Sequence, residues 1–562
     1  MASSRNSQIF KFLCIPAIIL ILAGLSCRRQ DSDEVETSVT LGASESAGEP
    51  VQGDWVIRRL QAEPKTLNSI TARDMYERIV NEYVYDSLID RSKKTLELQP
   101  VLAESYTISD DRLEYTFKLR RDIRFHDGAP MTARDVEFTF KRIKDPTVDA
   151  AHLRHYYKDI ESIEVIDDYT VKFKCTEPYW LALEWAGGFP VMPRHIFEKG
   201  DFNNHPNGRH PIGTGPYRFV KWDTGREIVL ERNDDYWGEK SYPDRIVFKI
   251  VVDETAALQL FKRGELDVCV RLTPEQWVRQ TKGPRFEQNA YKLSYDEFGY
   301  YYIGWNMRRP YFADKRVRRA MTHLIDREGI LKNIRYGLGK IVTGNTYING
   351  PVYDHSIEPW PYDPSEARRL LEEAGWVDHD GDGVRDKGGV PFSFEFLISA
   401  HSVFAEQLAT IMQEDFKQVG IEMSIRQFEW ATFEQQVHDR KFDATTLAWS
   451  VPVEGDPYQT WHSSQAEKGS NYVGFVNAEA DKIMEEGRRE FDAETRRAMY
   501  RKLHAILHEE QPYTFLFCPK ELIVVDRRFE NVKAYNYRLA LEPKEWYVPK
   551  ERQKYGRETD AS

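Results

Sequence analysis

Residues 295–326 constrain this chain more than any other stretch, because the hydrophobic period changes there. Tyr300 to Trp305 is an aromatic run with strand character, and Asn306 to Pro310 breaks it. Asp314 then serves as the cap of a helix in which Val317, Ala320, Met321, Leu324 and Ile325 fall on one apolar face. Upstream the pattern is hairpins and short strands; downstream helices and strands alternate. The stretch reads as a crossing from one lobe into a second, with aromatic side chains left near the seam. A chain of 562 residues is too long for one core and should divide into roughly two to four units.

The first residues stand apart from the fold. Arg5 and Lys11 precede an apolar run, Phe12 to Leu25, too short to span a bilayer comfortably. Residues 1–26 therefore read as an export signal. Ala23-Gly24-Leu25-Ser26 before Cys27 resembles a lipobox, although Gly24 stands where Leu is usual. Cys27 is the expected lipidation site, an ordinary signal or uncleaved anchor being the alternatives. Residues 27–52 are polar, acidic and without aromatics, and cannot bury enough apolar surface to offset chain entropy. They read as a tether to a membrane, so the body is expected in the periplasm or at the cell surface. Beyond the signal and Cys27 only Cys175, Cys269 and Cys518 remain, which allows at most one internal disulfide.

Charge and aromatic content narrow the function. A net charge of −12 with no basic stripe argues against a nucleic-acid binder. The 13 Trp, 30 Tyr and 29 Phe exceed what cores require, so some should line a binding surface. Leu113, Tyr115, Phe117 and Leu119 alternate as a half-buried strand after an Asp110-Asp111 turn. Thr132 and Asp135 form a capping box for a helix through Val136, Phe140 and Ile143. Pro211-Ile-Gly-Thr-Gly-Pro-Tyr217 demands a glycine-permissive backbone. After the crossing, Asp363-Pro364 opens a helix that Gly375 stops. Residues 392–449 then spell a βαβαβ run, which implies a largely parallel sheet covered by helices. Two more helices follow at about 478–490 and 493–509, then an apolar strand, Tyr513 to Phe517, that carries the chain back.

Leu102-Ala-Glu-Ser, Tyr115-Thr-Phe-Lys-Leu-Arg120, Phe125-His-Asp-Gly128, Thr132-Ala-Arg-Asp-Val136, Gly213-Thr-Gly-Pro-Tyr217, Arg232-Asn-Asp-Asp-Tyr-Trp237, Gly264-Glu-Leu-Asp267, Asp314-Lys-Arg-Val-Arg-Arg-Ala320 and Glu373-Ala-Gly-Trp376 occur in one order. In that order the chain resembles the extracytoplasmic solute-binding proteins of the peptide/nickel ABC transporter family, over about 55–540. The resemblance implies an α/β, two-lobed periplasmic-binding-protein-like fold of type II, the large peptide-binding class. It carries hinge crossings and an extra β-rich subdomain in lobe one. Lobe one is then 53–295, lobe two 296–515, the return 516–549 and a polar tail 550–562. The implied role is a monomeric lipoprotein, without cofactor or catalysis, that captures a peptide between the lobes and hands it to an ABC permease. A nickel chelate or oligosaccharide receptor, or a ligand-sensing subunit, is the alternative.

In such proteins the peptide amine meets an Asp just after a Gly-Trp of lobe two. This chain reads Ala448-Trp449-Ser-Val-Pro-Val-Glu454-Gly-Asp456-Pro-Tyr458 there, with no acid at that place. Glu454 or Asp456 could replace it through a charge-assisted bond; the plain alternative is a loop with surface acids. Trp305 with Asn306 at the cleft floor, Trp449, Tyr458 and Tyr472 are the expected ligand-facing residues of lobe two, with core packing the alternative for the tryptophans. Thr71, Arg73 and Trp185 are those of lobe one.

Two further patterns carry weaker chemistry. Asp378, Asp380 and Asp382 with Gly383 and Asp386 match the start of a calcium loop, but Gly389 stands where the bidentate Glu belongs, so an Asp/Gly-rich surface turn is the preferred reading. His504 and His508 lie four apart on a helix and could share a metal; solvent-facing histidines are preferred, since no Glu follows His504. The sequence holds no nucleophile elbow, P-loop or dinucleotide fingerprint.

Overall fold

The computed structural model describes residues 49–400, 402–535 and 541–556. The export signal, Cys27 and nearly all of the tether lie outside these residues. The described residues belong to one unit within Thr37–Ser562. That unit is a two-lobed α/β fold in which each lobe owns a sheet. Among the described residues no helix is long and apolar enough to cross a membrane.

Lobe one is built on an eight-stranded sheet. Its order is Ala290–Asp296, Phe517–Asp526, Val268–Cys269, Trp55–Leu60, Arg245–Ile250, Glu227–Arg232 and Tyr217–Asp223, with Gly339–Ile341 paired to the second of these. The β-rich subdomain is a separate four-stranded sheet, Ala103–Ile108, Glu114–Leu119, Thr170–Cys175 and Ile160–Asp167. Against it packs the helix Ala133–Lys144, closed at its start by the Thr132/Asp135 capping box. Tyr115, Phe117 and Leu119 point into that core as their alternation requires. The glycines of 211–217 are needed for close approach: a Cβ on Gly213 would strike the Val84 carbonyl.

Lobe two is built on a five-stranded sheet in the order Glu422–Phe428, Ser393–Ser399, Ala444–Ser450, Gly299–Trp305 and Tyr513–Phe515. The βαβαβ expectation holds. Ser393–Ser399 pairs parallel with both Glu422–Phe428 and Ala444–Ser450, and the helices Val403–Lys417 and Trp430–His438 make the crossovers. The two strands that carry the chain in and out are antiparallel additions to this parallel core.

The register fixes where the lobes meet. Ala290–Asp296 is paired along its whole length with Phe517–Asp526, in lobe one. Gly299 is already opposite Ser450, in lobe two. The inward crossing is thus Glu297-Phe298, and the return is Leu516, whose N–H donates to the Tyr301 carbonyl. Tyr300–Trp305, expected as the crossing itself, runs away from it into lobe two. Gly299 admits no side chain, because the Trp449 carbonyl backs onto it.

Two other expectations change. His504 and His508 are buried, not solvent-facing. His504 shares a proton with the Thr343 hydroxyl at 3.0 Å, and the His508 ring stacks on Trp360 with centroids 5.3 Å apart. Burial pushes each imidazole down to about 4, so both are neutral packing groups. Residues 550–556, expected as part of a polar tail, dock on lobe one: Tyr555 stacks on Trp55 at 4.7 Å and the Lys554 N–H donates to Asp54. Cys175, Cys269 and Cys518 are buried free thiols.

Candidate functional site

A cavity of about 330 Å³ lies at the crossings, walled by both lobes. Lobe one contributes Arg58 to Gln61 from the end of its central strand, the helix face Met75, Tyr76, Ile79 and Glu82, and Val270-Arg271. The inward crossing contributes Glu297 and Phe298, and the lobe-one strands that flank the crossings add Tyr295, Pro519 and Glu521. Lobe two contributes Gly299 to Tyr301 and Ala448-Trp449-Ser450. A ligand here would touch both lobes and the inward crossing.

Trp449 is the aromatic wall of lobe two. It stands opposite Tyr300 across the antiparallel pair, at the cavity end of its strand. Its indole N–H donates to the Tyr513 hydroxyl at 3.3 Å, and its ring is stacked between Tyr302 and Tyr472, 6.3 and 5.9 Å away. Trp305 pairs with Ala444 at the other end of the same strand. Six residues separate it from Gly299, roughly 20 Å at the usual rise per residue. It is fully buried beside Phe312 and Phe394, with its N–H on Thr514. Asn306 is spent on the Phe442 and Arg440 carbonyls. The structure therefore places Trp305 and Asn306 in the core of lobe two, away from the cavity, for the plain reason that a strand has two ends.

The acidic loop of lobe two has other partners too. Glu454 is clamped by Arg496 at 3.2 Å and Arg497 at 2.5 Å. Asp456 accepts from the Tyr179 hydroxyl at 2.9 Å and pairs with Arg488 at 3.2 Å. Burial pushes its carboxyl up, with the Arg488 charge opposing. Neither acid lines the cavity. Tyr458 lies under the Arg488 guanidinium and against His462, and Tyr472 lies behind Trp449. In lobe one Arg73 is exposed and ion-paired with Asp149, Thr71 is buried, and Trp185 stacks on Tyr156 at 4.4 Å. Of the ten residues anticipated for the ligand, only Trp449 lines this cavity.

Asp456 nevertheless has a consequence for closure. Tyr179 and Asp159 belong to lobe one, and Arg488 to lobe two; Arg488 bonds Asp159 at 3.2 Å as well as Asp456, and its carbonyl accepts the Trp180 N–H. Arg489 reaches Glu177 at 3.0 Å beside it. These contacts hold the lobes shut at the cleft rim. Arg488→Ala should enlarge the radius of gyration of the unliganded protein and weaken ligand binding about tenfold, because the binding-competent closed state becomes the minor one. Unchanged small-angle scattering and affinity would reduce the latch to a surface ion pair.

Sequence reasoning missed the charged lining. Arg58 and Arg59 are adjacent in an otherwise apolar central strand, so they point to opposite faces. Arg59 is consumed by the Val251 and Val252 carbonyls at 2.9 and 2.8 Å. Arg58 is 7% exposed, and among the described residues its side chain has only the Tyr83 hydroxyl at 3.4 Å and the Phe248 ring beneath it. Its Nε has no partner there. Glu297 sits on the crossing itself, and among the described residues its carboxylate makes no ion pair or hydrogen bond, although the Arg271 and Arg335 charges act on it. Glu521, on the return strand, accepts the Arg271 N–H at 2.8 Å, with the guanidinium at 3.7 Å. Burial pushes both carboxyls up; Glu521, with the Glu297 charge adding to the effect, reaches about 7. Two arginines in a buried strand and a Glu between two strands were the visible signals, and each needed the sheet register to be read.

The Asp378, Asp380 and Asp382 carboxylates come within 4.8 Å of one another on an exposed turn. Their oxygens cap the turn's own N–H groups at Gly381, Gly383, Asp382 and Val384, and Asp386 is turned to His379. This is the Asp/Gly turn geometry of the plainer reading.

Comparison with known proteins places these features. The sequence profile of the bacterial extracellular solute-binding proteins, family 5 Middle, matches residues 97–471. The oligopeptide-binding protein AppA of Bacillus subtilis is 32% identical over 533 residues, 90% of this chain and 94% of AppA. Di/tripeptide-binding protein 1 of Pseudomonas aeruginosa is 27% identical, over 77% of this chain and 83% of its own. The solved structure of AppA from Bacillus subtilis with a nonapeptide superposes with a TM-score of 0.76 at 30% identity, covering 89% of this chain and all of that one. NikA of Brucella suis with Fe(III)-EDTA gives 0.78 at 23% identity, covering 88% and 100%, a likeness of fold.

Proposed function

Because the chain belongs to the bacterial extracellular solute-binding proteins of family 5, we propose that it captures short peptides in the interlobe cavity and delivers them to an ABC import permease. The observation that carries this reading is the cavity itself, lined by residues of both lobes and of the inward crossing. Ligand contacts on both sides are what shift an open-to-closed equilibrium toward closed. The likeness to AppA of Bacillus subtilis supports a peptide as ligand, since that protein is named for oligopeptides. At about 330 Å³ the cavity lies at the low end of small-ligand sites, roughly 300–1,000 Å³, which favours peptides of a few residues. Trp449 supplies the wide apolar contact area, and the strand ends around it supply backbone groups for an extended peptide.

Cys27 as a lipid anchor and residues 27–52 as a tether complete the proposal: they hold the body near a membrane permease and raise its effective concentration there. One chain then works as a monomer without cofactor, as a receptor rather than a catalyst.

Short peptides should raise the melting temperature of the purified protein in proportion to the logarithm of their concentration. Trp449→Ala should weaken peptide binding by about 2 kcal/mol, a hot-spot loss. Calorimetric titration of a library of two- to nine-residue peptides decides the matter. Binding of a nickel chelate or an oligosaccharide with no response to any peptide would replace the reading by one for that solute.

A further inference from the structure

The amine anchor expected on the lobe-two loop does not reach the cavity, because Glu454 and Asp456 are neutralised by arginines. The cavity has carboxylates of its own, at a different place. Glu82 is taken by Lys93. Glu297, on the inward crossing, and Glu521, on the lobe-one strand that follows the return, are left; Arg271 pairs with Glu521, and the Arg271 and Arg335 charges act on Glu297 without a direct ion pair among the described residues. From the central strand of lobe one the cavity is also lined by Arg58, more than nine-tenths buried, without a carboxylate partner among the described residues. A buried arginine without a carboxylate partner and a half-buried carboxylate without a direct ion pair are both costly, and both open onto one cavity.

We propose that the hinge is a charge-reading site, in which Glu297 with Glu521 binds the cationic group of a dipolar ligand and Arg58 binds its anionic group. The inference rests on the peptide-capture reading and sharpens it: the ligand is recognised by two opposite charges, and the positive one is read on the hinge strands. A cation there would meet Glu297 on the inward crossing and Glu521 on the lobe-one strand that follows the return. Burial already penalises the charge on both carboxyls, so a ligand cation is the partner that restores it, through charge-assisted bonds. Arg58 offers the donors of its guanidinium to a carboxylate from a strand end that the sheet holds rigid.

The test is calorimetric titration of the full chain with tri-alanine, N-acetyl-tri-alanine and tri-alanine amide. The unmodified peptide should bind at least tenfold more tightly than either blocked form. Glu297→Gln should erase the preference over the acetylated peptide and keep the preference over the amide; Arg58→Met should do the reverse. Glu521→Gln should repeat the Glu297→Gln pattern and stands in for it should that variant fail to fold. Full discrimination against the acetylated peptide in both Gln variants overturns the hinge cation site, and retained discrimination against the amide in Arg58→Met overturns its anionic half. If no peptide binds a chain that still unfolds cooperatively, peptide capture falls, and L-arginine against L-citrulline then decides the hinge site separately. A preference for arginine that Glu297→Gln removes supports it; no preference ends it.

Discussion

Trp305→Ala should cost roughly 4 kcal/mol of stability and leave the ligand affinity of the folded protein within about twofold of the parent. The side chain is 0% exposed and is enclosed by Phe312 and Phe394, so its removal leaves a cavity that the surrounding strands cannot collapse into. It also strands a buried hydrogen-bond chain. The indole N–H donates to Thr514 Oγ1 at 3.0 Å, which in turn shares a proton with Thr322 Oγ1 at 2.5 Å. Urea titration should show the midpoint falling with little change in slope, and the melting temperature should drop by roughly 10 °C. Calorimetry on the folded variant supplies the other half of the test. Lost affinity with intact stability would put this residue back at the ligand.

Arg528→Met should destabilise the chain by about 3–5 kcal/mol, the range for stripping one partner from a buried ion pair. Arg528 bonds Asp54 at 2.6 Å and Asp267 at 2.7 Å; the arginine side chain is 5% exposed and both acids 1%. It also donates to the Trp55 carbonyl at 3.0 Å, and Asp267 accepts the Ile57 N–H at 2.9 Å. This triad ties the first strand, the Val268–Cys269 strand and the chain after the return into one sheet. Burial pushes the Asp267 carboxyl up to about 6 against the pull of Arg528. A carboxyl raised on folding keeps its proton longer in the native state, so stability falls as pH rises from the unfolded value near 4 through 6. Without Arg528 the raised value climbs further and the loss extends to higher pH. The deficit of Arg528→Met should therefore be larger at pH 8 than near pH 5, by the part that Asp267 carries. Equal deficits at both values would mean that lost packing, not stranded charge, carries the effect.

Much of the fold could be read directly from residues. Asp314, Asp363 and the Thr132/Asp135 box mark helix starts because a side-chain oxygen caps backbone N–H groups within the same few residues. The alternation of Tyr115, Phe117 and Leu119 marks a strand because successive side chains face opposite sides. The βαβαβ run marks a parallel sheet because each connection is long enough for a helix. All of these are short-range relations, complete within one element or between neighbours in the chain.

The site was far less legible. Trp305 and Trp449 look alike as aromatic residues on strands, and only the pairing of Tyr300 with Trp449 and of Trp305 with Ala444 sends one to the cavity and the other to the core. Glu454 and Asp456 look available until Arg496, Arg497 and Arg488 arrive from helices 32 to 43 residues downstream. His504 and His508 look solvated until the Thr343 and Trp360 segments cover them. The sequence by itself determined the elements, the two-lobed order and the stretch in which the chain crosses. The tertiary structure decided which residues line the cavity: Glu297 at the step between sheets, and Glu521 and Arg58 beside it. The reason is that a helix cap or a strand face depends on residues within a turn or a pleat, whereas a cavity wall depends on strand register and on which distant charge reaches a carboxylate first.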